Sequence, residues 1–450
     1  MILRLLSAFF VLSIIPSTIF SEVELDKPGF IMGTYRGYYE DHVAQKVHMP
    51  EWTDMEVAAK RLLDKDEVFP EALELIRSAK ERVFFGMYLF GGKIGDDVID
   101  ALLEKQKQGV KVFMVLSKTR QSYEDAVRKQ QKIFEDLYEA EKEGNPVEKP
   151  PYMQKVSKAK AMGLPVVHAE TKFIDAWVPV RVDHSKIIVV DGVEGMFGGM
   201  NFSDTTSKNR DTMVRVAGPF VKELEKSIAN NWICGWVKNT NGLLAYNEEA
   251  ARARMEEKLK DPGYSLNKAR LTVTAPYARN SREELIKLID EATHSLYVEQ
   301  LLFNDTKLLK AVGRAALRGI KIRLLLDPAE HLYYRNWHGG ANNKAVALIQ
   351  KLKEQNPDLD IDVRYYKVGP GQELHMKICI IDEKILGIGS TNFTSGAFQS
   401  NFELFAFMTG EGIVGDYLEM FNDDWDNHSK ECPEYFFGRW LITLFSDIIF

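Results

Sequence analysis

The stretches HSKIIVVD (184–191) and HMKICIID (375–382) share one frame: a histidine, a lysine two residues on, and an aspartate closing the run. Side chains alternate across a β-strand, so His184 and Lys186 share a face, as do His375 and Lys377. The residues between lysine and aspartate are apolar in both copies, which predicts a strand covered on both sides. Taken alone, either stretch reads equally well as a polar cap on a buried strand. The frame continues, however. Gly198-Gly199-Met200-Asn201 and Gly389-Ser390-Thr391-Asn392 follow at the same interval, and an acid comes after each, Asp211 and Glu403. One short motif is a weak signal; a doubled one with a shared downstream frame constrains the whole chain.

The repetition also runs upstream. EALELIRSAKERVFFGMYLF (71–90) parallels ELIKLIDEATHSLYVEQLLF (284–303), and IDALLEKQKQGVKVFMVL (99–116) parallels LKAVGRAALRGIKIRLLL (309–326). Each reads helix, strand, helix, glycine stop, strand. Leu73, Ile76 and Ala79 give helical spacing, and Gly109 and Gly319 stand where a helix ends before a strand. Trp232 and Trp425 occupy matching places downstream of the two motifs. The expected architecture is α/β: two repeated halves, each a mixed sheet flanked by helices, joined as one closed pair about a pseudo-two-fold. The expected division is 22–260 for the first half and 261–432 for the second, with a connector in ARARMEEKLKDPGYS (251–265). Residues 433–450 form an apolar tail broken by Arg439 and Asp447, which reads as a packed or interfacial helix.

Residues 1–21 carry Arg4, a short apolar run from Leu5 to Ile15, and then Pro16, Ser17 and Ser21 before an acidic stretch. This is the pattern of a secretory signal peptide, with an uncleaved membrane anchor as the second reading. The expectation is therefore an exported (periplasmic or secreted) or membrane-associated chain. An insertion before His184 divides into a charged amphipathic helix over 121–143 and a turn-rich linker over 144–152. The net charge of −7 offers no general basic field for nucleic acid. Cys234, Cys379 and Cys432 have no metal spacing. Cys379, inside a motif strand, reads as a small core residue, and a Cys234–Cys432 bond is open to an exported chain.

Two histidines, two lysines and two asparagines brought together by a two-fold suit a phosphodiester. In-line displacement puts nucleophile and leaving group on opposite faces of phosphorus, so one histidine attacks while the other protonates the leaving oxygen. The candidate catalytic set is His184, Lys186, Asp191, His375, Lys377 and Asp382, with Asp191 and Asp382 at strand ends as positioning groups rather than acids. Asn201, Asn392 and Ser390 are expected at the phosphate. Asp211 and Glu403 are expected on the far ring nitrogens of the histidines, fixing their tautomers. No metal or other cofactor is expected, because a lysine fixed beside each histidine repels a divalent cation. His168 and His294 read as structural or surface residues, and His331 and His338 as loop residues near an entrance.

The doubled H-x-K-x4-D followed by G-[GS]-x-N resembles the signature of the phospholipase D superfamily. The resemblance implies a phosphohistidine intermediate, metal-free chemistry and one active site at the interface of the halves. It also implies His184 as nucleophile and His375 as general acid, an order the residues alone leave open. Within the superfamily, NRDTMVRVAGPFVKELEKSIANNW (209–232) and NFEL (401–404) resemble segments of cardiolipin synthases and related phosphatidyltransferases. The expected substrate is thus a phospholipid at a membrane surface, handled by a monomer. The alternative is an exported nuclease using the same site on DNA or RNA, which the acidic balance disfavours.

Overall fold

A computed structural model describes residues 47–117, 164, 166–169, 182–234, 245–275, 277–328 and 342–433. The expected signal or anchor (1–21), the insertion (121–143 and 144–152), His331, His338 and the tail beyond 433 lie outside these residues, and the side chain of His168 is not described. No helix among the described residues is long and apolar enough to cross a membrane.

In the first half, β1 (Met55–Leu63) leads through helix α1 (Asp64–Ser78) to β2 (Arg82–Met87), then through α2 (Gly92–Lys107) to β3 (Lys111–Ser117) and β4 (Val166–Ala169). The hairpin β5 (Ile187–Val190) and β6 (Glu194–Gly198) follows, then β7 (Thr212–Ala217) and α3 (Val221–Cys234). A connecting helix, α4 (Glu248–Lys258), leads into the second half. There the same elements return as β8 (Ser265–Ala275), α5 (Ser281–Glu291), β10 (Ser295–Gln300), α6 (Thr306–Leu317) and β11 (Lys321–Leu326). Next come α7 (Asn343–Gln355), β12 (Ile361–Tyr366), β13 (Lys377–Ile381), β14 (Ile385–Gly389), β15 (Glu403–Thr409) and α9 (Glu411–Asn427). Short β9 (Ala278–Arg279), α8 (Ser395–Gln399) and edge strand β16 (Ser429–Glu431) complete the described elements.

One continuous sheet joins the halves in the order β16-β12-β11-β10-β13-β14-β15-β8-β1-β7-β6-β5-β2-β3-β4. Outward from the antiparallel β1–β8 seam, the two arms repeat each other over seven strands, and β16 extends the second arm by one. In each arm the motif hairpin lies antiparallel to the strand after the first helix, β2 or β10, which in turn pairs in parallel with β3 or β11. Gly109 and Gly319 adopt left-handed backbone (φ 88° and 85°) where α2 and α6 turn into their strands, so the stop signal read from the sequence is a geometric requirement.

The alternation of the motif strands decides the layering. Ile187 and Val189 face a middle core shared by both halves, together with Ile378 and Ile380. Ile188 and Val190 face an outer core under α1 and α2, and Cys379 and Ile381 face the matching outer core under α5 and α6. The expected two-sided burial follows. Trp232 on α3 and Trp425 on α9 both pack into the middle core. All three cysteines are free: Cys234 sits in the middle core, whereas Cys432 packs on the outer core of the second half. The two belong to different layers, which removes the Cys234–Cys432 bond open to the sequence.

Asp191 and Asp382 close the motif hairpins. Asp191-Gly192 and Asp382-Glu383 place two successive residues at φ 54°–69°, the signature of a tight type I′ turn. Each carboxylate also caps the loop that enters the neighbouring strand. Asp191 accepts from the backbone N–H groups of Lys80, Glu81 and Arg82 at 2.8 Å each. Asp382 accepts from Thr293, His294 and Ser295, and also from the Thr293 hydroxyl. Burial alone would raise the Asp382 carboxyl, but these donors outweigh it and hold the group below its ordinary value. The stability it contributes is therefore present at neutral pH and lost as pH falls through the carboxylate range. We expect Asp382→Ala to cost about 2 kcal/mol in urea unfolding at pH 7, with a smaller deficit at pH 3. An equal deficit at both values would contradict this role.

Candidate active site

Each motif enters its strand through a backbone contact with the opposite half. His184 N–H donates to the Phe402 carbonyl (2.9 Å), and Phe402 N–H donates to Val182. In mirror fashion His375 N–H donates to the Arg210 carbonyl (2.8 Å), and Arg210 N–H donates to Glu373. Phe402 and Arg210 immediately precede Glu403 and Asp211. The acid that follows each motif is thereby delivered to the histidine of the other motif.

The side chains follow that lead. His184 Nδ1 lies 3.0 Å from Glu403 Oε2, and His375 Nδ1 lies 2.6 Å from Asp211 Oδ2. An ionised carboxylate can only accept, so beside one each Nδ1 carries the hydrogen, and in either protonation state each Nε2 is turned over to chemistry. The expected orienting role of Asp211 and Glu403 thus takes a crossed form that sequence order did not reveal. Lys186 and Lys377 each place Nζ 2.6 Å from the carbonyl of the histidine two residues earlier, which uses one of three donors and ties ammonium to imidazole.

The phosphate-directed residues divide. Asn201 Oδ1 accepts from Leu89 N–H (3.1 Å), while its buried Nδ2 has no partner. On Asn392, the buried Oδ1 has none. An unspent buried amide donor is what a bound oxyanion would satisfy. Ser390 is different: its hydroxyl donates to Glu403 Oε2 (2.6 Å) and accepts from Leu404 N–H, and its carbonyl lies 3.0 Å from His184 Nδ1. It braces the His184–Glu403 pair rather than presenting a free donor to phosphate, because the strand return to Glu403 passes directly over it. Asp191 and Asp382 close the far ends of the motif hairpins, about 20 Å along the chain from the histidines at a strand rise of ~3.3 Å per residue. Their hydrogen bonds go to the loops before β2 and β10, not to the motif histidines or lysines.

Burial governs the electrostatics. It lowers His184 to about 4, against the opposing pull of Glu403. It raises Asp211 to about 7, although Lys377 and Lys186 pull the other way. Burial and the two nearby lysines hold His375 well below its ordinary value. A protonated Asp211 beside a neutral His375 carries the same two protons as an imidazolium beside a carboxylate. Below about pH 7 this pair therefore holds a proton to give, whereas His184 above about pH 4 holds a bare Nε2. Burial also lowers Lys377 to about 8 and Lys186 well below its ordinary value, the latter deepened by Lys377.

Several contributors escaped the sequence reading. The Tyr88 ring stands edge-on to His184 (centroids 4.5 Å apart) and 4.9 Å from Lys186 Nζ. By strand register the matching residue in the second half is Leu301, which supplies no aromatic ring there. Buried Asp183, pushed up to about 6 by desolvation, accepts from Asn231 Nδ2 and from Ser185 directly beneath the first motif. Among the described residues, Asp423, Asp424 and His428 are grouped closely enough to hold a metal ion, but the buried member, Asp424, is paired with Arg210.

Comparison with known proteins agrees with this geometry. A family model described as "Cardiolipin synthase, PLD-like domain" matches residues 72–232 and again 285–425. Cardiolipin synthase 1 of Bacillus anthracis is 24% identical over 386 residues, covering 83% of this chain and 67% of the relative. Cardiolipin synthase 2 of Bacillus cereus is 25% identical over 396 residues, covering 85% and 67%. Cardiolipin synthase 1 of Staphylococcus aureus (strain COL) is 24% identical over 407 residues, covering 86% and 71%. Among solved structures, the phosphatidylserine synthase of Haemophilus influenzae Rd KW20 superposes with a TM-score of 0.59 at 12% identity, covering 87% of this chain and 93% of that one, a likeness of fold. The domain matched twice, on the two halves that carry the crossed histidine–carboxylate pairs, leaves one conclusion: the chain belongs to the phospholipase D superfamily, in its cardiolipin synthase-like branch, and is a phosphodiester-processing enzyme.

Proposed function

We propose that the chain transfers or hydrolyses the phosphatidyl group of phospholipids at a membrane surface, through a phosphohistidine and without a metal. The observation that carries the mechanism is the pair of crossed contacts, His184–Glu403 and His375–Asp211, which leave two Nε2 atoms in opposite protonation states near neutral pH. His184 Nε2 attacks phosphorus while the bond to the leaving oxygen breaks, and His375 Nε2 gives that oxygen its proton. In the second step a water or alcohol hydroxyl passes its proton to His375 as its oxygen attacks phosphorus, and the P–N bond breaks. Lys186, Lys377, Asn201 and Asn392 stabilise the non-bridging oxygens throughout, where loss of one donor costs about 3–4 kcal/mol of barrier. The lysines supply the positive charge that a metal would otherwise bring. The phospholipid substrate is supported by the cardiolipin synthase relatives and by an acidic overall balance unsuited to a polyanion.

Four outcomes are expected. His184→Ala and His375→Ala each lower turnover by at least about 10³-fold on phosphatidylglycerol, and EDTA leaves the parent enzyme unaffected. Inhibition by EDTA that a divalent ion restores would overturn the metal-free route. Offered phosphatidylglycerol and a nucleic acid together, the purified chain yields cardiolipin or phosphatidic acid, whereas oligonucleotides as the product would favour the nuclease. The pH profile of kcat/KM is bell-shaped: its acidic limb falls as His184 gains a proton near pH 4, and its basic limb as the His375–Asp211 pair loses one near pH 7. Finally, vanadate binding at pH 8 takes up protons, because an anion restores the charge that burial withdraws from Lys377. Calorimetry in buffers of different ionisation enthalpy measures that uptake.

A further inference from the structure

The two histidine–carboxylate pairs are supported by different chemistry. Among the described residues, Glu403 is hydrogen-bonded by His184, Ser390 and Asn401, with Lys186 and Lys377 facing it from the site. Asp211 is held through an ion network that has no counterpart in the other half. Arg210 NH1 donates to Asp64 Oδ2 (2.8 Å), and its Nε and NH2 reach Asp424 Oδ2 at 3.1 and 3.0 Å. Asp64 in turn grips the backbone of Asp211 from both sides: its N–H donates to the Asp211 carbonyl (2.9 Å), and its Oδ1 accepts from Asp211 N–H (3.0 Å). To do so Asp64 takes left-handed backbone (φ 53°), a strained conformation for a non-glycine residue. At the position of Arg210, the other half has Phe402.

We infer that Arg210, Asp64 and Asp424 are positioning residues for the general acid, a clamp that fixes Asp211 against His375 and makes one of two similar histidines the proton donor. This rests on the functional reading above and assigns its asymmetry to named residues. The clamp draws on three separate parts of the fold, the start of α1, the approach to β7 and the last turn of α9, so the acid is assembled only when all three are in place. It also fixes distance: the His375–Asp211 contact is 2.6 Å, against 3.0 Å for His184–Glu403, in the range of a charge-assisted bond. Lys377, Lys186 and His184 face this pair from the site, Asp64 faces it from behind, and Arg210 stands behind Asp64 with Asp424 and buried Glu299. Asp64 raises the Asp211 carboxyl further, so the clamp helps the pair keep its proton.

The test uses leaving groups. Bis(p-nitrophenyl) phosphate departs as a stable phenolate that needs no proton, whereas phosphatidylglycerol departs as an alkoxide that does. Arg210→Lys keeps the charge but loses the fork, and Asp424→Asn keeps the shape but loses the charge. We expect each to lower kcat on phosphatidylglycerol by about 10²-fold with KM little changed, to lower it on the aryl diester by less than about threefold, and to move the basic limb of the pH profile to lower pH. Thermal melts of both variants accompany the kinetics, and Asp424→Asn carries the same comparison should Arg210→Lys not fold. Equal losses on the two substrates with an unmoved basic limb would show a merely structural role and overturn the inference alone. Failure of the parent chain to turn over either diester would overturn the functional reading and the inference with it.

Discussion

The interaction on which everything else depends is the exchange of carboxylates between the halves. Each half supplies a histidine and the acid for the other half's histidine, and backbone hydrogen bonds at Phe402 and Arg210 enforce the exchange before any side chain is considered. Neither half alone has an oriented imidazole. The β1–β8 seam and the shared middle core bring the pieces together, so the packing that stabilises the fold also assembles the site.

Duplication starts from equality, and catalysis of in-line displacement requires inequality. One histidine must be bare and the other protonated at the same pH. Here the difference arises from surroundings rather than from the motifs. The Tyr88 ring stands edge-on beside His184, where burial keeps the imidazole neutral. Asp211, raised by burial and gripped through Asp64 and Arg210, keeps a proton with His375. The proposed order of roles, His184 as nucleophile and His375 as acid, is the one these environments fit.

Much of this was legible in the chain because repetition converts position into structure. The apolar runs after Lys186 and Lys377, the glycine stops at 109 and 319 and the matched tryptophans correspond to strands, turns and helices of the two arms. Asp191 and Asp382 read as positioning groups because their place at a strand end implied a turn, and they cap loops there. What the chain did not disclose is partnership across the two-fold. Sequence separation says nothing about which acid meets which imidazole when the matching contacts lie 219 and 164 residues apart. Ser390 was misread for a similar reason: its neighbours in sequence point to phosphate, but its neighbour in space is Glu403. Arg210 gave one signal in retrospect, a charged residue immediately before a candidate acid where the other copy has Phe402.

The central claim is that the crossed pairs make His184 the covalent nucleophile. Rapid quenching of the enzyme during turnover of a phosphodiester under alkaline conditions, where phosphohistidine survives, followed by tandem mass spectrometry, reads it directly. The account predicts an adduct on His184 and none on His375. An adduct on His375, or release of product with no adduct on either residue, would contradict it.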